Sequence, residues 1–264
     1  MYVFSDLDRT VIYSNKFLDT EVKYSNIEKH EDREISYVSL DTIEYIKEIQ
    51  DIGMFIPTTT RTTEQFKRIN FDKYGISFPW AITTNGGCIL KNNEVLESWN
   101  NEVENIKNKS CDLNIMVDDF KKYTKLPGVI KFAVASELFF YIVADYSIFD
   151  INCLQEYVDI LDERNWDMYI SGRKIYFLPK GITKENAIKY LIKELNIKEF
   201  TAIGDSTMDY GMVKSANYGY VLKHGDMLDK NTNNNLFVSD LRGMDGSEEI
   251  LKYIIESKKV QNVL

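Results

Sequence analysis

Short apolar runs that stop abruptly at polar residues alternate along this chain with segments whose apolar positions fall three or four apart. Tyr2-Val3-Phe4 is the first such run; it gives way to Ser5 and Asp6 and reads as a buried strand emptying into a loop. Ser39 stands as an N-cap before Ile43, Ile46 and Ile49, which share one helical face, and Gly53 stops that helix. Met54-Phe55-Ile56 forms the next strand and ends in Thr58-Thr59-Thr60-Arg61, with a second helix predicted to start near Thr62 or Thr63. Trp80-Ala81-Ile82 is a third strand, followed by the turn-like Asn85-Gly86-Gly87. The rhythm returns with Thr183 capping a helix through Ala187, Ile188, Leu191, Ile192 and Leu195. Phe200 to Ile203 then runs into Gly204-Asp205-Ser206, a short helix spans Tyr210 to Lys214, and Tyr218 to Leu222 is a last strand. Strands alternating with helices predict a parallel sheet covered on both faces, whose ligand site gathers at the carboxyl ends of the strands.

Between Leu90 and Leu178 the pattern changes. Two β-rich runs (Val129 to Ala135, Leu138 to Val143) precede a helical segment predicted over Phe149 to Arg164. A hairpin follows, Trp166 to Ile170 and Lys174 to Leu178 around Ser171-Gly172-Arg173. The expected fold is therefore α/β, a Rossmann-like doubly wound core (1–90 and 180–264) with an inserted α+β cap (91–179). Strand-like linkers near Ile89 to Val95 and Leu178 to Ile182 suit a lid that hinges. Asn85-Gly86-Gly87 reads as a turn at the domain junction. No repeat of fixed period appears, and the run Asn231 to Asn235 reads as a polar loop.

Composition narrows the function. The 264 residues carry 32 Lys plus Arg against 41 Asp plus Glu, a formal charge of −9, which repels a nucleic-acid backbone or an anionic bilayer. Neither partner is expected. The N-terminal residues lack the basic and apolar regions of a signal peptide, and no apolar run approaches the ~20 residues of a spanning helix, so a cytoplasmic protein is expected. Cys88, Cys111 and Cys153 are widely spaced and odd in number, which suits a reducing compartment. With only His30 and His224 besides, no zinc-ligand spacing is visible. Oligomeric state leaves no mark on the sequence.

Four polar clusters carry candidate chemistry. Asp6-Leu7-Asp8-Arg9-Thr10 places two carboxylates just past a strand end, where a turn is needed for both to meet one ligand; alone, the pattern reads equally as a solvated loop. Thr58 to Thr60 offers hydroxyls and amides to an anion, and by itself is better read as an N-cap. Lys184 opens a helix against the helix dipole, so a carboxylate or a bound phosphate would compensate it; a solvated lysine is the bland alternative. Gly204-Asp205-Ser206-Thr207-Met208-Asp209 brings two more carboxylates to the end of the next strand. Acids at the ends of two buried strands make a natural site for a hard cation such as Mg²⁺.

In this order, DxDxT, a strand-end Thr, a helix-opening Lys and GDxxxD, the clusters resemble the haloacid dehalogenase superfamily, and the insertion between Thr and Lys is similar to its large-cap branch. Within that branch the likeness is to the Cof-type and sucrose-phosphate phosphatase-like sugar-phosphate phosphatases. The resemblance implies a Mg²⁺-dependent phosphatase acting on a small phosphorylated metabolite, with a sugar phosphate as the expected class. It implies that Asp6 attacks phosphorus and forms an aspartyl-phosphate, and that Asp8 protonates the leaving alcohol and then activates water. Thr59 and Lys184 would hold the phosphoryl oxygens. The Mg²⁺ set would be Asp6, the Asp8 carbonyl and Asp205, with Asp209 orienting the site from close by.

Substrate contacts are expected from Thr59, Thr60, Arg61 and Lys184 in the core and from Arg173 in the cap, although Ser-Gly followed by basic residues is also ordinary exposed turn chemistry. Three departures from the family pattern stand out. Thr59-Thr60-Arg61 replaces the frequent Thr-Gly-Arg, leaving the register open to Thr58 or Thr60; Met208 replaces an Asn; and Arg9 replaces a Gly, facing either substrate or solvent. Phe139 and Tyr141 are predicted on one face of their strand and Phe140 on the other. Two rival functions share these residues: a phosphomannomutase-type phosphotransferase, and a regulatory protein on a phosphatase fold.

Overall fold

The computed structural model describes residues 1–18, 21–229 and 236–261; the run Asn231 to Asn235 lies outside them. Its strands are β1 (Tyr2–Ser5), β2 (Tyr24–His30), β3 (Arg33–Ser39), β4 (Met54–Pro57), β5 (Trp80–Thr83), β6 (Cys88–Lys91), β7 (Glu94–Val95), β8 (Val129–Ala135), β9 (Phe139–Ala144), β10 (Trp166–Ser171), β11 (Lys174–Pro179), β12 (Thr201–Gly204), β13 (Tyr218–Val221) and β14 (Leu236–Val238). Its α-helices are α1 (Leu40–Ile52), α2 (Thr63–Lys67), α3 (Glu97–Asn108), α4 (Leu113–Phe120), α5 (Gln155–Asp159), α6 (Lys184–Glu194), α7 (Tyr210–Ser215) and α8 (Gly243–Gln261). None is long and apolar enough to cross a membrane, among the described residues.

Five strands form a parallel sheet in the order β14-β13-β12-β1-β4. Its strands are short apolar runs because both faces are covered. Val3 packs with Ile43, Ile46 and Ile49 of α1 and with Ile250 and Ile254 of α8. The next residue, Phe4, packs on the opposite face with Ile188 and Leu191 of α6 and Met212 of α7. Ile43, Ile46 and Ile49 are almost wholly buried, each worth roughly 1.5–3 kcal/mol over exposure. Caps fall where the sequence placed them: the Ser39 hydroxyl accepts from Thr42 N–H, and Thr62 and Gln65 form a reciprocal capping box at the start of α2.

The chain leaves β1 for β4 on one side and returns to β12 on the other, so the carboxyl ends of β1 and β12 lie side by side at a topological switch point. One expected strand sits differently. Trp80 to Thr83 belongs to a separate antiparallel sheet, β5-β6-β7, which packs beside the parallel sheet and is bridged to it at Thr58–Ile82. The predicted helix over Phe149 to Arg164 is also shorter: a 3₁₀ turn at Ile151–Leu154 leads into α5, which ends at Asp159. Beyond it the winding continues as turns, closed by bonds from the Arg164 and Trp166 amides to the Leu161 carbonyl.

The inserted unit is built on the antiparallel sheet β10-β11-β9-β8. Phe140 enters its own cluster with Phe120, Tyr157 and Phe177, whereas Phe139 turns to the cluster shared with the core, as alternation along a strand requires. The β10–β11 hairpin turns at Gly172, with φ 54°, and the Thr207 hydroxyl of the core donates to the Ile170 carbonyl at 2.8 Å.

Two ties shape the site from a distance. Asn85 Nδ2 donates to the Ile182 carbonyl at 3.1 Å, and Gly86, at φ 93°, lies so close to the N-cap of α6 that a Cβ there would sit 2.2 Å from the Thr183 carbonyl oxygen. At the other end, His224 Nδ1 accepts from the Gly243 amide at 3.1 Å, so Nε2 carries the proton and donates to the Arg9 carbonyl at 2.8 Å. Burial pushes this imidazole below its ordinary value, and the charges of Arg9 and Arg242 add to that against the bond to the Arg9 carbonyl.

Gly86→Ala is expected to lose more than about 1 kcal/mol of stability, read as a lower urea midpoint, because the new methyl meets backbone at a positive φ. The second expectation concerns pH. A histidine kept neutral in the fold but free to charge when unfolded stabilises fully above its unfolded pKa of ~6.5 and progressively less below it. Wild type should therefore lose stability from pH 7.5 to 5.5 more steeply than His224→Gln, by no more than about 1.4 kcal/mol per pH unit for the one proton. Parallel urea midpoints for the two proteins across that range would contradict it.

Candidate active site

Asp6 follows β1 directly, its amide donating to the Ile203 carbonyl of β12 at 2.9 Å. The chain then curls tightly: the Thr10, Val11 and Ile12 amides all point to the Leu7 carbonyl, and Arg9 takes a left-handed φ of 64°. This is the turn that the paired acids needed. Asp6 and Asp8 both line a cavity of about 570 Å³ between core and cap.

Lys184 opens α6, one residue after its N-cap Thr183, and is 1% exposed. Its ammonium donates to Asp6 Oδ1 at 2.5 Å and to Asp209 Oδ1 at 2.6 Å. The compensation expected for a cation in a first helical turn is thus two carboxylates. Burial opposes the lysine charge, but Asp209 and Asp6 outweigh it and hold the ammonium above its ordinary value. The other Asp6 oxygen accepts from the Thr10 hydroxyl at 3.2 Å. Burial, with Asp209 and Asp8 adding to it against Lys184, raises the Asp6 carboxyl to about 7.

Asp209 has both oxygens occupied: Oδ2 accepts from the amides of Asp205 and Ser206 and from the Ser206 hydroxyl, at 3.2, 2.9 and 2.9 Å. Gly204 permits this, since a Cβ there would lie 2.4 Å from the Asp209 Cβ. Asp205 is different. It is 2% exposed, and its Oδ2 has no hydrogen-bond partner, only the Arg9 Nε at 3.3 Å. Burial first, then Asp6 and Asp209, push its carboxyl well above the ordinary range. Oxygens of Asp6, Asp205 and Asp209 all lie within 4.8 Å of one another. A buried, hydrogen-bond-orphaned carboxylate oxygen in an all-oxygen cluster fits a hard divalent cation.

Asp8 turns away from this cluster. Arg61 grips it with two bonds, Nε to Oδ2 and NH2 to Oδ1, each 2.7 Å. Burial works against the Asp8 charge, but the Arg61 guanidinium and its bonds hold the carboxyl below its usual range. The sequence placed Arg61 on the substrate; its guanidinium is committed instead to Asp8, Glu28 and Ser36. Arg9, expected toward substrate or solvent, reaches back to Asp205 and to the His224 carbonyl. Met208 enters the core cluster, so no polar group is lost from the site at that position.

Of the three threonines, Thr58 bonds back to the Ile56 carbonyl and Thr59 is fully buried, its hydroxyl accepting from the Arg61 amide at 3.1 Å. Thr60 is the one that lines the cavity. Arg173 lines it from the cap turn, beside Lys174, whose ammonium sits 5.3 and 5.8 Å from the ring centres of Tyr141 and Tyr176. Sequence reasoning missed Glu28, Arg68 and Lys174, all on the cavity wall. For Lys174 the signal was present, in the same basic turn as Arg173; Glu28 had none, because its partners are remote in sequence.

A sequence profile described as haloacid dehalogenase-like hydrolase matches residues 131–240, which hold Lys184, Asp205 and Asp209. No curated protein matches the chain significantly. Solved structures match nearly its full extent. The sucrose-phosphatase of Synechocystis, seen with sucrose and phosphate, superposes with a TM-score of 0.71 at 13% identity over 97% of both chains. A Thermoplasma acidophilum protein gives 0.64 at 15% identity over 97% of this chain and 98% of its own. A sugar phosphatase of haloacid dehalogenase subclass IIB gives 0.61 at 14% identity over 97% and 98%. Profile and fold point the same way: residues 131–240 match the haloacid dehalogenase-like hydrolase profile, and the chain as a whole shares the fold of these solved structures.

Proposed function

We propose that the protein is a Mg²⁺-dependent phosphatase that hydrolyses a small phosphorylated metabolite, a sugar phosphate by class, through an aspartyl-phosphate on Asp6. One observation carries this reading: a buried carboxylate, fixed between Lys184 and Thr10, opens into a cavity that also holds a second, separately tethered carboxylate. Such a pair supplies a nucleophile and an acid/base group to one substrate. The sucrose and phosphate bound by the Synechocystis structure favour the sugar-phosphate class.

Asp6, Asp205 and the Asp8 carbonyl would hold Mg²⁺, with Asp209 orienting them. When bound, the ion neutralises phosphoryl charge and lets an anionic nucleophile approach an anionic ester. The remaining steps fall to the chain. Lys184 and the threonine loop, Thr59 and Thr60, bind the non-bridging oxygens, and Asp6 attacks phosphorus in line. Asp8, once it has taken up a proton from water, gives it to the departing alcohol, then takes one from the water that hydrolyses the aspartyl-phosphate. The cap, residues 91–179, closes over the leaving group and excludes water, with Arg173 at its tip contacting the substrate.

Purified protein is expected to release phosphate from 4-nitrophenyl phosphate and from members of a sugar-phosphate panel with Mg²⁺, and to stop with EDTA. Asp6→Asn should lower turnover on the order of 10³-fold or more; undiminished release would sink the mechanism. Lys184→Met leaves two buried carboxylates unpaired and should cost roughly 3–5 kcal/mol in metal-free buffer. Added Mg²⁺ should restore part of that loss in a thermal melt.

A further inference from the structure

The β2–β3 hairpin is exposed around its turn and buries Ile27, Ser36 and Val38 further back, and among these buried residues stands an acid, Glu28, 1% exposed. The pairing of the two strands slips on both sides of this residue, between Asn26 and Glu28 and between Glu28 and Lys29. Such irregularities re-aim single side chains, and this one turns a glutamate inward.

What it meets there is cationic. Glu28 Oε2 accepts from Arg61 NH1 at 2.7 Å and from the Ser36 hydroxyl at 2.8 Å, and Oε1 faces Arg68 NH2 at 3.4 Å. Ser36 also accepts from Arg61 NH2 at 3.1 Å. The guanidinium is therefore held on one edge by Glu28 and Ser36, and its other edge holds Asp8. A buried carboxylate is costly unless paired, and this pairing fixes the plane of the fork that grips Asp8.

We propose that Glu28 is a positioning residue that, through Arg61, sets the place of the Asp8 carboxyl for proton transfer to the leaving oxygen. The inference rests on the phosphatase reading. As the Asp6 oxygen bonds to phosphorus, the ester oxygen departs with the bonding electron pair, and a proton that Asp8 has first taken up from water, against the pull of Arg61, passes to it. An alkyl or sugar oxygen needs that proton; 4-nitrophenolate leaves without it. Misplacing a catalytic group by 1 Å costs on the order of 100-fold, so the loss should appear with one class of ester and not the other.

The test compares Glu28→Ala, Glu28→Gln and Ser36→Ala with wild type, on 4-nitrophenyl phosphate and on the sugar phosphate turned over fastest. Glu28→Ala should lower kcat for the sugar phosphate about 10- to 100-fold, with KM little changed and the aryl ester affected less than about threefold. Glu28→Gln, which keeps an acceptor for Arg61 and Ser36, should recover most of the loss. If Glu28→Ala does not fold, Ser36→Ala should show the same selectivity at smaller size. Equal losses on both esters, or none on the sugar phosphate, overturn the proposal. Crystal structures provide an arm that needs no activity. In Glu28→Ala the Asp8 carboxylate should shift by about 1 Å or more while the Lys184 contacts persist, and an unmoved carboxylate overturns the positioning role. A wild type inert on both esters refutes the phosphatase reading instead, and with it the assigned proton transfer.

Discussion

The site is organised around one buried ammonium. Lys184 has almost no contact with water and sits in the first turn of a helix whose dipole disfavours it. It is tolerable only because Asp6 and Asp209 reach it from two different loops. Each of those carboxylates is in turn tolerable because of the lysine. The arrangement explains why Gly204 lacks a side chain, why Gly86 braces the start of α6, and why the nucleophile candidate presents a defined oxygen to the cavity. It also leaves Asp205 under-compensated, with one carboxylate oxygen buried and without a hydrogen bond.

Much of this was legible because buried parallel strands advertise themselves. Val3-Phe4, Phe55-Ile56 and Ala202-Ile203 are apolar on both faces, and the residue after each run falls where ligands gather. Asp6, Lys184, Asp205 and Asp209 therefore came together as expected. Other features depend on contacts that no local pattern encodes. Helix α3 has only Trp99 and Val103 buried, too few to mark a face, and the β2–β3 hairpin buries residues in no regular alternation. Glu28 looks like a solvated acid until Arg61 is brought beside it. Arg61 in turn looked like a substrate contact because its protein partners lie 53 and 33 residues away.

Charge shows the same division between chain and site. The protein carries a formal charge of −9, yet Arg9, Arg61, Arg68, Arg173 and Lys174 all stand on the cavity wall. Local potential in a cleft with low-dielectric walls is set by such neighbours far more than by net charge. An acidic protein can thus present a surface that attracts an anionic ester.

The left-handed turn at Arg9 has a consequence for assembly. Nothing in the local sequence favours that conformation for an arginine; it is held by His224, and the loop around it by Lys184 and Ser247, at separations of 215, 178 and 237 residues. Contacts of such long reach close late, after the entropy of the intervening chain has been overcome. The two halves of the core must dock around the completed insertion before Asp6 acquires its neighbours. Asp6 therefore stays without its ammonium partner until Lys184, 178 residues further along the chain, has been made and docked.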